Sequence, residues 1–465
     1  MKNIHPQTLR LALPQVAFLM MISIPLLVFP SNIGFPRYLP DWLAFMCLGA
    51  WGLLTVCQSE IQPMKSEINS MGLLAGSWIF IILVQYASGL IVTGLNFILI
   101  SLGYLMAVIT IGVLVKWWIR AGYETELVKL FLFGILLVSV CNAMVIVIQS
   151  LPWLADHLYP LIEKENSLRP GGIVSQSNIA ATWCALGILA LVFYVQDEGK
   201  TSAKPKVWRI LTMTLLLYAV NLALSRIATL ELLVLTGMFW WYRHPFNIHR
   251  FWLFLPVWQG LIMLLQFSQN LPDQNHLIRR FDQSNHARFS IHSGSLNLIK
   301  EHFLTGIGWR QFQLFQISMP ELGFTGVVDH THNLFLQIQL ELGLLGSLTC
   351  VFFFVYWFHQ RSLLKSPRPA VFVGFAIAIL FGLHSMTEYP LWYATSLFAF
   401  VVAVALLPEP KPLLSMSLGA GFKKIFFASA LAIFIWIYVD QVYYNRIASA
   451  TLDFVDVQQV ETLRG

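Results

Sequence analysis

The chain has 465 residues, of which 57% are hydrophobic and only 11% charged, whereas a soluble protein of this length carries about 25% charged residues. That leaves too little polar surface to cover a water-facing globule, so lipid is the solvent for most of the chain. The net charge of +6 then reads as a topology signal rather than a nucleic-acid surface.

The elements follow from apolar runs long enough to cross a hydrocarbon layer as helices, which satisfy their own backbone there. In chain order they lie near 11–30, 39–57, 71–92, 95–115, 127–150, 179–195, 210–225, 227–242, 251–267, 333–358, 371–386, 391–407 and 425–441. The expectation is an all-α, polytopic transmembrane bundle of about 12–13 spans. Pro14, Pro25 and Pro30 interrupt the first run and no small-x-small site follows cleanly, so it reads as an uncleaved span rather than a leader. Cys47, Cys57, Cys141, Cys184 and Cys350 lie in apolar stretches without metal-type spacing, and an odd count argues against a disulfide framework.

Orientation follows from basic residues. With the N-terminus inside, inner segments hold 18 of the 29 Lys and Arg residues and outer ones 11, five of which fall in one long loop. Long loops count little in this comparison, so an N-in, C-out topology is expected. Two outer segments, 151–178 and 268–332, are too long for simple turns. The second contains SIHSGSLNLIKEHFLTGIGWRQF, and its aromatic and aliphatic content predicts a packed loop, a lid of short helices. No internal repeat of the inverted-transporter kind is visible.

The residues suited to chemistry all fall on the outer side. His330 and His332 occur in HTHN, where the long loop meets a span; imidazole is the side chain best suited to take a proton near neutral pH. Asp329 and Asn333 read equally as helix caps. A metal reading of DHTH lacks a third ligand at a recognisable spacing, so no metal and no cofactor is expected. Arg226 lies between two apolar runs and Arg288 in NHARFSIHSG. Guanidinium forks pair with phosphate oxygens, although snorkelling or ordinary solvation explains such arginines too. Gln176 and Asn178 in SQSN offer amides for sugar hydroxyls or phosphate, or a helix cap at Ser177 or Asn178. Arg169, Gly171 and Gly172 upstream suit an anion nest or a plain turn. Glu388, in HSMTEYPLWYA, needs a partner at membrane depth. Tyr389, Trp392 and Tyr393 form either an interfacial belt or a stacking surface for sugars. GIGWRQF is not a nucleotide loop, and no Walker, HExxH or GxSxG element is present.

The ordered set SQSN, SR, AR before GxGWxxF, HxHNxxLQxxxELGxxG and HSxxEYPLWY resembles the O-antigen ligase and O-antigen polymerase superfamily. EYPLWYA is most similar to the bacterial protein O-oligosaccharyltransferases that glycosylate type IV pilin. The likeness spans about residues 160–407. It implies metal-independent transfer of an oligosaccharide from undecaprenyl pyrophosphate to Ser or Thr hydroxyls of a periplasmic, pilin-like protein. The setting implied is the bacterial inner membrane, with membrane lipids but no nucleic acid as partners. By this resemblance His332, or His330, is the catalytic histidine, Arg226 and Arg288 hold the pyrophosphate, and Gln176, Asn178, Asn333, Tyr389 and Glu388 position sugar or acceptor. The expected layout is a membrane domain over 1–441, with a periplasmic loop over 268–332, and a periplasmic tail over 442–465, shorter than the soluble C-terminal region common in that branch. An O-antigen ligase acting on lipid A core, an O-antigen polymerase, and a lipid or polysaccharide transporter are the rival readings. The transporter predicts polar residues at both faces and at the midplane, whereas here they gather on one side.

Overall fold

In a computed structural model of the protein, the residues described are 6–27, 38–58, 66–93, 95–158, 162, 169–194, 207–269, 274–319, 328–359, 368–408, 414–416 and scattered positions between 423 and 435. Fifteen helices occur among them: α1 (Pro6–Leu27), α2 (Tyr38–Cys57), α3 (Ser70–Ala87), α4 (Leu95–Arg120), α5 (Glu124–Gln149), α6 (Pro152–Leu158), α7 (Ser177–Tyr194), α8 (Val207–Leu222), α9 (Arg226–Tyr242), α10 (Leu255–Gln269), α11 (Gln274–Glu301), α12 (Phe312–Ser318), α13 (Leu334–His359), α14 (Pro369–His384) and α15 (Ala394–Ala405). A short antiparallel pair, β1 (Ser66–Ile68) with β2 (Leu414–Met416), and 3-10 turns at Gly172–Val174, Arg250–Phe254 and Pro390–Trp392 accompany them.

Each of the first twelve apolar runs is a helix, as its composition requires in lipid. Among the described residues, five stretches are long and apolar enough to cross a membrane: Leu39–Cys57, Ser70–Ala87, Ile98–Arg120, Glu124–Gln149 and Leu334–Tyr356. The other apolar helices, such as Ser177–Phe193, Pro369–His384 and Ala394–Ala405, are shorter. Most of the thirteenth run, near 425–441, and the whole 442–465 segment lie outside the described residues.

The centre of the bundle is α7. From Ile179 to Leu191 its large side chains, Trp183 included, have no exposure, as expected of a helix apolar all round. It packs on α5, α8, α9 and α14. Small residues permit that closeness: a Cβ on Gly187 would lie 2.4 Å from Ser139 Cβ of α5. The outer helices instead expose Leu211, Trp240, Trp241, Leu264 and Phe352, the face such a bundle offers to acyl chains.

The segment expected as a lid of short helices is mainly one long helix, α11, followed by the short α12. Its buried stripe, Ile291, Ser295, Leu298 and Ile299, repeats at helical spacing and meets Ile307, Phe312 and Leu340. One amphipathic stripe on an otherwise polar run favours a single continuous helix. A break in α13 locks this layer to the bundle. Gly343 has φ 67°, which interrupts the helical ladder and frees backbone groups. The turn after α11 takes them: Ile307 N–H donates to Leu340 O at 2.8 Å, and Leu344 N–H to Phe303 O at 3.1 Å. Gln85 of α3 donates to Glu341 O at 2.8 Å and to Thr305 O at 2.9 Å.

Candidate functional site

Between α14 and α15 the chain crosses through Ser385–Tyr393, where Pro390 opens a 3-10 turn at Pro390–Trp392. Glu388 lies in this crossing, its N–H donating to His384 O at 2.9 Å. Its side chain is 6% exposed, and a buried carboxylate requires partners. It has three, from three other parts of the chain. Arg288 Nη2 of α11 donates to Oε1 at 2.6 Å, Asn178 Nδ2 of α7 donates to the same oxygen at 3.0 Å, and His332 Nδ1 meets Oε2 at 3.0 Å. Burial pushes this carboxyl up, but the His332 hydrogen bond, with the charges of His332 and Arg288, outweighs it and holds the group at about 2. Glu388 is therefore an anion at neutral pH.

His332 stands on a strained turn, with φ 57° in the left-handed region. Its neighbours hold it there. Thr331 N–H donates to Gln337 Oε1 at 2.7 Å, and Thr331 Oγ1 donates to Asn333 O at 2.9 Å. Asn333 Oδ1 caps α13 by accepting from Leu336 N–H at 3.1 Å. Leu334 N–H crosses to Ser385 O at 2.9 Å, fastening the turn to the Glu388 crossing. With Nδ1–H donated to Glu388, Nε2 is the nitrogen left to accept a proton.

A second histidine–carboxylate pair lies alongside. Asp329, one of two expected caps, instead meets His330 Nδ1 at 2.5 Å. That hydrogen bond holds the Asp329 carboxyl down at about 2. Burial lowers the His330 imidazole, with Asp329 opposing. The His330 ring lies 4.2 Å from that of His332 and 3.4 Å from that of Tyr389, centroid to centroid, and its Nε2 is buried with no hydrogen-bond partner among the described residues. A pocket opens here, lined by His330, His332, Glu388, Tyr389 and Trp392.

The other expected residues divide. Asn178 joins the cluster rather than capping a helix, and its Oδ1 accepts from Arg169 Nη2 at 2.6 Å. Gln176 is the cap, with Oε1 accepting from Ile179 N–H at 2.6 Å. Arg226 is exposed in the first turn of α9, after the Ser225 cap. From that corner the inward contact runs through Arg169, whose Nε donates to Ala223 O at 2.9 Å. Two arginines thus belong to the site beyond the expected pair. Arg169 read as part of a glycine turn. Arg310, in GIGWRQF, lies 5.5 Å from the Trp392 ring centroid and lowers Asp329 by its charge. The proline after Arg169 and the glycine frame of Arg310 were the visible signals; neither says where a side chain ends up.

His330, His332 and Glu388 bring possible ligand atoms within 4.8 Å of one another. The same carboxylate already carries the Arg288 guanidinium at 2.6 Å, and a divalent cation beside it would be repelled. The donor set fits an anionic or hydroxyl-bearing ligand better than a metal ion. Arginines flank a carboxylate-oriented imidazole, and aromatic faces line the pocket: the arrangement can hold an anion, stack a ring and accept a proton.

Residues 211–351 match the family described as O-antigen ligase, and residues 372–451 match the C-terminal part of the virulence factor membrane-bound polymerase family. The two matches support the O-antigen ligase and polymerase superfamily and, with it, glycosyl transfer by a multi-pass membrane protein. They cover His332, Arg226, Arg288, Glu388 and Tyr389. No curated protein and no solved structure matches the chain.

Proposed function

From that superfamily match we propose that the protein transfers an oligosaccharide en bloc from undecaprenyl pyrophosphate to a Ser or Thr hydroxyl of a periplasmic, pilin-like protein. It would act in the bacterial inner membrane with the cluster facing the periplasm and the N-terminus in the cytoplasm. The observation that carries the reading is the Glu388 junction, where a buried carboxylate orients His332 at 3.0 Å and holds Arg288 at 2.6 Å.

In this reading the acceptor hydroxyl oxygen attacks the anomeric carbon. Its proton passes to His332 Nε2, and the bond from that carbon to the pyrophosphate oxygen breaks. The electron pair leaves with undecaprenyl pyrophosphate, whose growing charge Arg288 and Arg310 stabilise. Glu388 fixes the imidazole tautomer and supports the imidazolium that forms, the role a carboxylate plays behind a histidine base. Tyr389 and Trp392 offer faces to the sugar. Gln176 and Asn333 serve by capping α7 and α13, which places Asn178 and His332, while Arg226 meets phosphate at the exposed rim.

The test is reconstitution of purified protein with lipid-linked oligosaccharide and soluble pilin in the presence of chelator, scored by intact mass. A glycan-sized gain on pilin that His332→Ala abolishes supports the proposal; no gain on pilin, with chelator or without it, refutes it. The match to the family described as O-antigen ligase favours a second reading, in which lipid A core is the acceptor. Transfer to core sugar alone would move the assignment there.

A further inference from the structure

Behind the Glu388 junction, three polar side chains from three apolar helices meet with no exposure at all: Thr182 of α7, Glu231 of α9 and His384 of α14. The Thr182 hydroxyl lies 2.6 Å from His384 Nδ1 and 3.0 Å from Glu231 Oε1, and Glu231 Oε1 is 3.5 Å from His384 Nδ1. The one hydroxyl proton of Thr182 is shared between Glu231 Oε1 and Asn178 O, and in the Nδ1–H tautomer His384 donates to Thr182 Oγ1. Glu231 Oε2 and His384 Nε2 are buried without hydrogen-bond partners among the described residues. Three ionisable or hydroxyl groups in an apolar interior cost stability that Leu or Val would not, so their presence calls for a use.

The connections show one. Both members that lead out of the triad lead to the same carboxylate, each by one helical turn. Thr182 stands four residues after Asn178, its Oγ1 3.2 Å from Asn178 O, and Asn178 donates to Glu388. His384 stands four residues before Glu388, and its carbonyl accepts the N–H of Thr387 and of Glu388, each at 2.9 Å. We infer that Thr182, Glu231 and His384 are positioning residues, which clamp α7, α9 and α14 so that Asn178 and Glu388 meet in the geometry that orients His332. This rests on the transferase reading above.

The test is the triple variant Thr182→Val/Glu231→Leu/His384→Leu, which removes the triad without leaving an orphan charge. An apolar replacement of a buried polar set leaves stability equal or higher, so the variant is expected to melt no lower than wild type. Its kcat is expected to fall roughly ten-fold or more with KM for the lipid-linked donor unchanged, because misplacement acts on the chemical step. A folded triple variant with wild-type kcat overturns the inference. If the triple variant does not fold, Thr182→Val against Thr182→Ser decides. Serine keeps the hydroxyl and should restore kcat; equal rates for the two overturn the inference. Its failure is separable from that of the transferase reading, because only the latter requires His332→Ala to abolish transfer in the wild-type background.

Discussion

Glu388 and Asp329 both lie at about 2, below the ordinary 4.5 and 3.8. The sign follows from linkage. The unfolded chain takes up these protons first as pH falls, so the pairs contribute in full above the ordinary values and their contribution is lost as pH drops from there towards 2. Melting in detergent at about pH 6 and about pH 3 should show a fall that is smaller in Glu388→Gln. An equal fall in both proteins would show that Glu388 is not held by this junction. For turnover, His332→Ala should cost about 100-fold or more if the imidazole is the base, while His330→Ala, one ring away, should cost less. Single-turnover transfer rates separate them, and the reverse order would make His330 the base. Arg288→Lys keeps the charge but loses the planar fork, and should weaken donor binding as read from KM.

At the scale of elements, the site depends on the break in α13. A Cβ on Gly343 would lie 2.4 Å from Leu304 O and 2.5 Å from Gly306 N, at a φ of 67°. Gly343→Ala therefore forces α13 away from the turn after α11, at a cost of about 1–3 kcal/mol. Melting temperature should fall and transfer with it, since Gln337 of α13 and the Asn333 cap before it hold the His332 turn. Gly382→Ala in α14 is the control: nothing lies within 4 Å of its Cβ, and alanine in a helix gains roughly 0.5–1 kcal/mol over glycine. A control that melts lower than Gly343→Ala would contradict the packing described. The expected lid became one long helix for a related reason: Arg288 and His292 share a face of α11, Arg288 on Glu388 and His292 Nε2 at 3.0 Å from Thr331 O, and a single rigid helix places both.

For the whole molecule, the elements of the site lie at one end of the bundle: the start of α7, the α8–α9 corner, α11, the start of α13 and the α14–α15 crossing. Asp41 at the start of α2 joins that end, accepting from Ala394 N–H of α15 at 2.9 Å. The proposed topology, argued from the basic-residue bias, has this end outside. In a Cys57→Ser background, Ser175→Cys should react with a membrane-impermeant thiol reagent in intact cells. His244→Cys, at the other end, should react only after permeabilisation. The opposite pattern would invert the topology and remove the periplasmic acceptor with it.

The solvent and the helices were legible in the sequence, and so were most of the polar groups that gather at the candidate site. Apolar runs have one backbone solution in lipid, and HTHN, SQSN and EYPLWY placed imidazole, amide and carboxylate at span ends. It also pointed to Glu388 as a group in need of a partner, since a membrane-depth carboxylate is costly alone. Which partners it takes was decided by tertiary structure. Arg288, Asn178 and His332 come from positions 100, 210 and 56 residues away, and periodicity says nothing about which helix ends meet. The same holds for Arg169, whose motif suited an anion nest or a turn, for Arg310, whose motif belonged to the expected lid, and for Arg226, whose motif looked central and whose side chain stands exposed at the rim. Glu231, buried in an apolar helix, carried no motif at all. Its place beside Thr182 and His384 exists only because three helices pack closely enough for their polar groups to find each other.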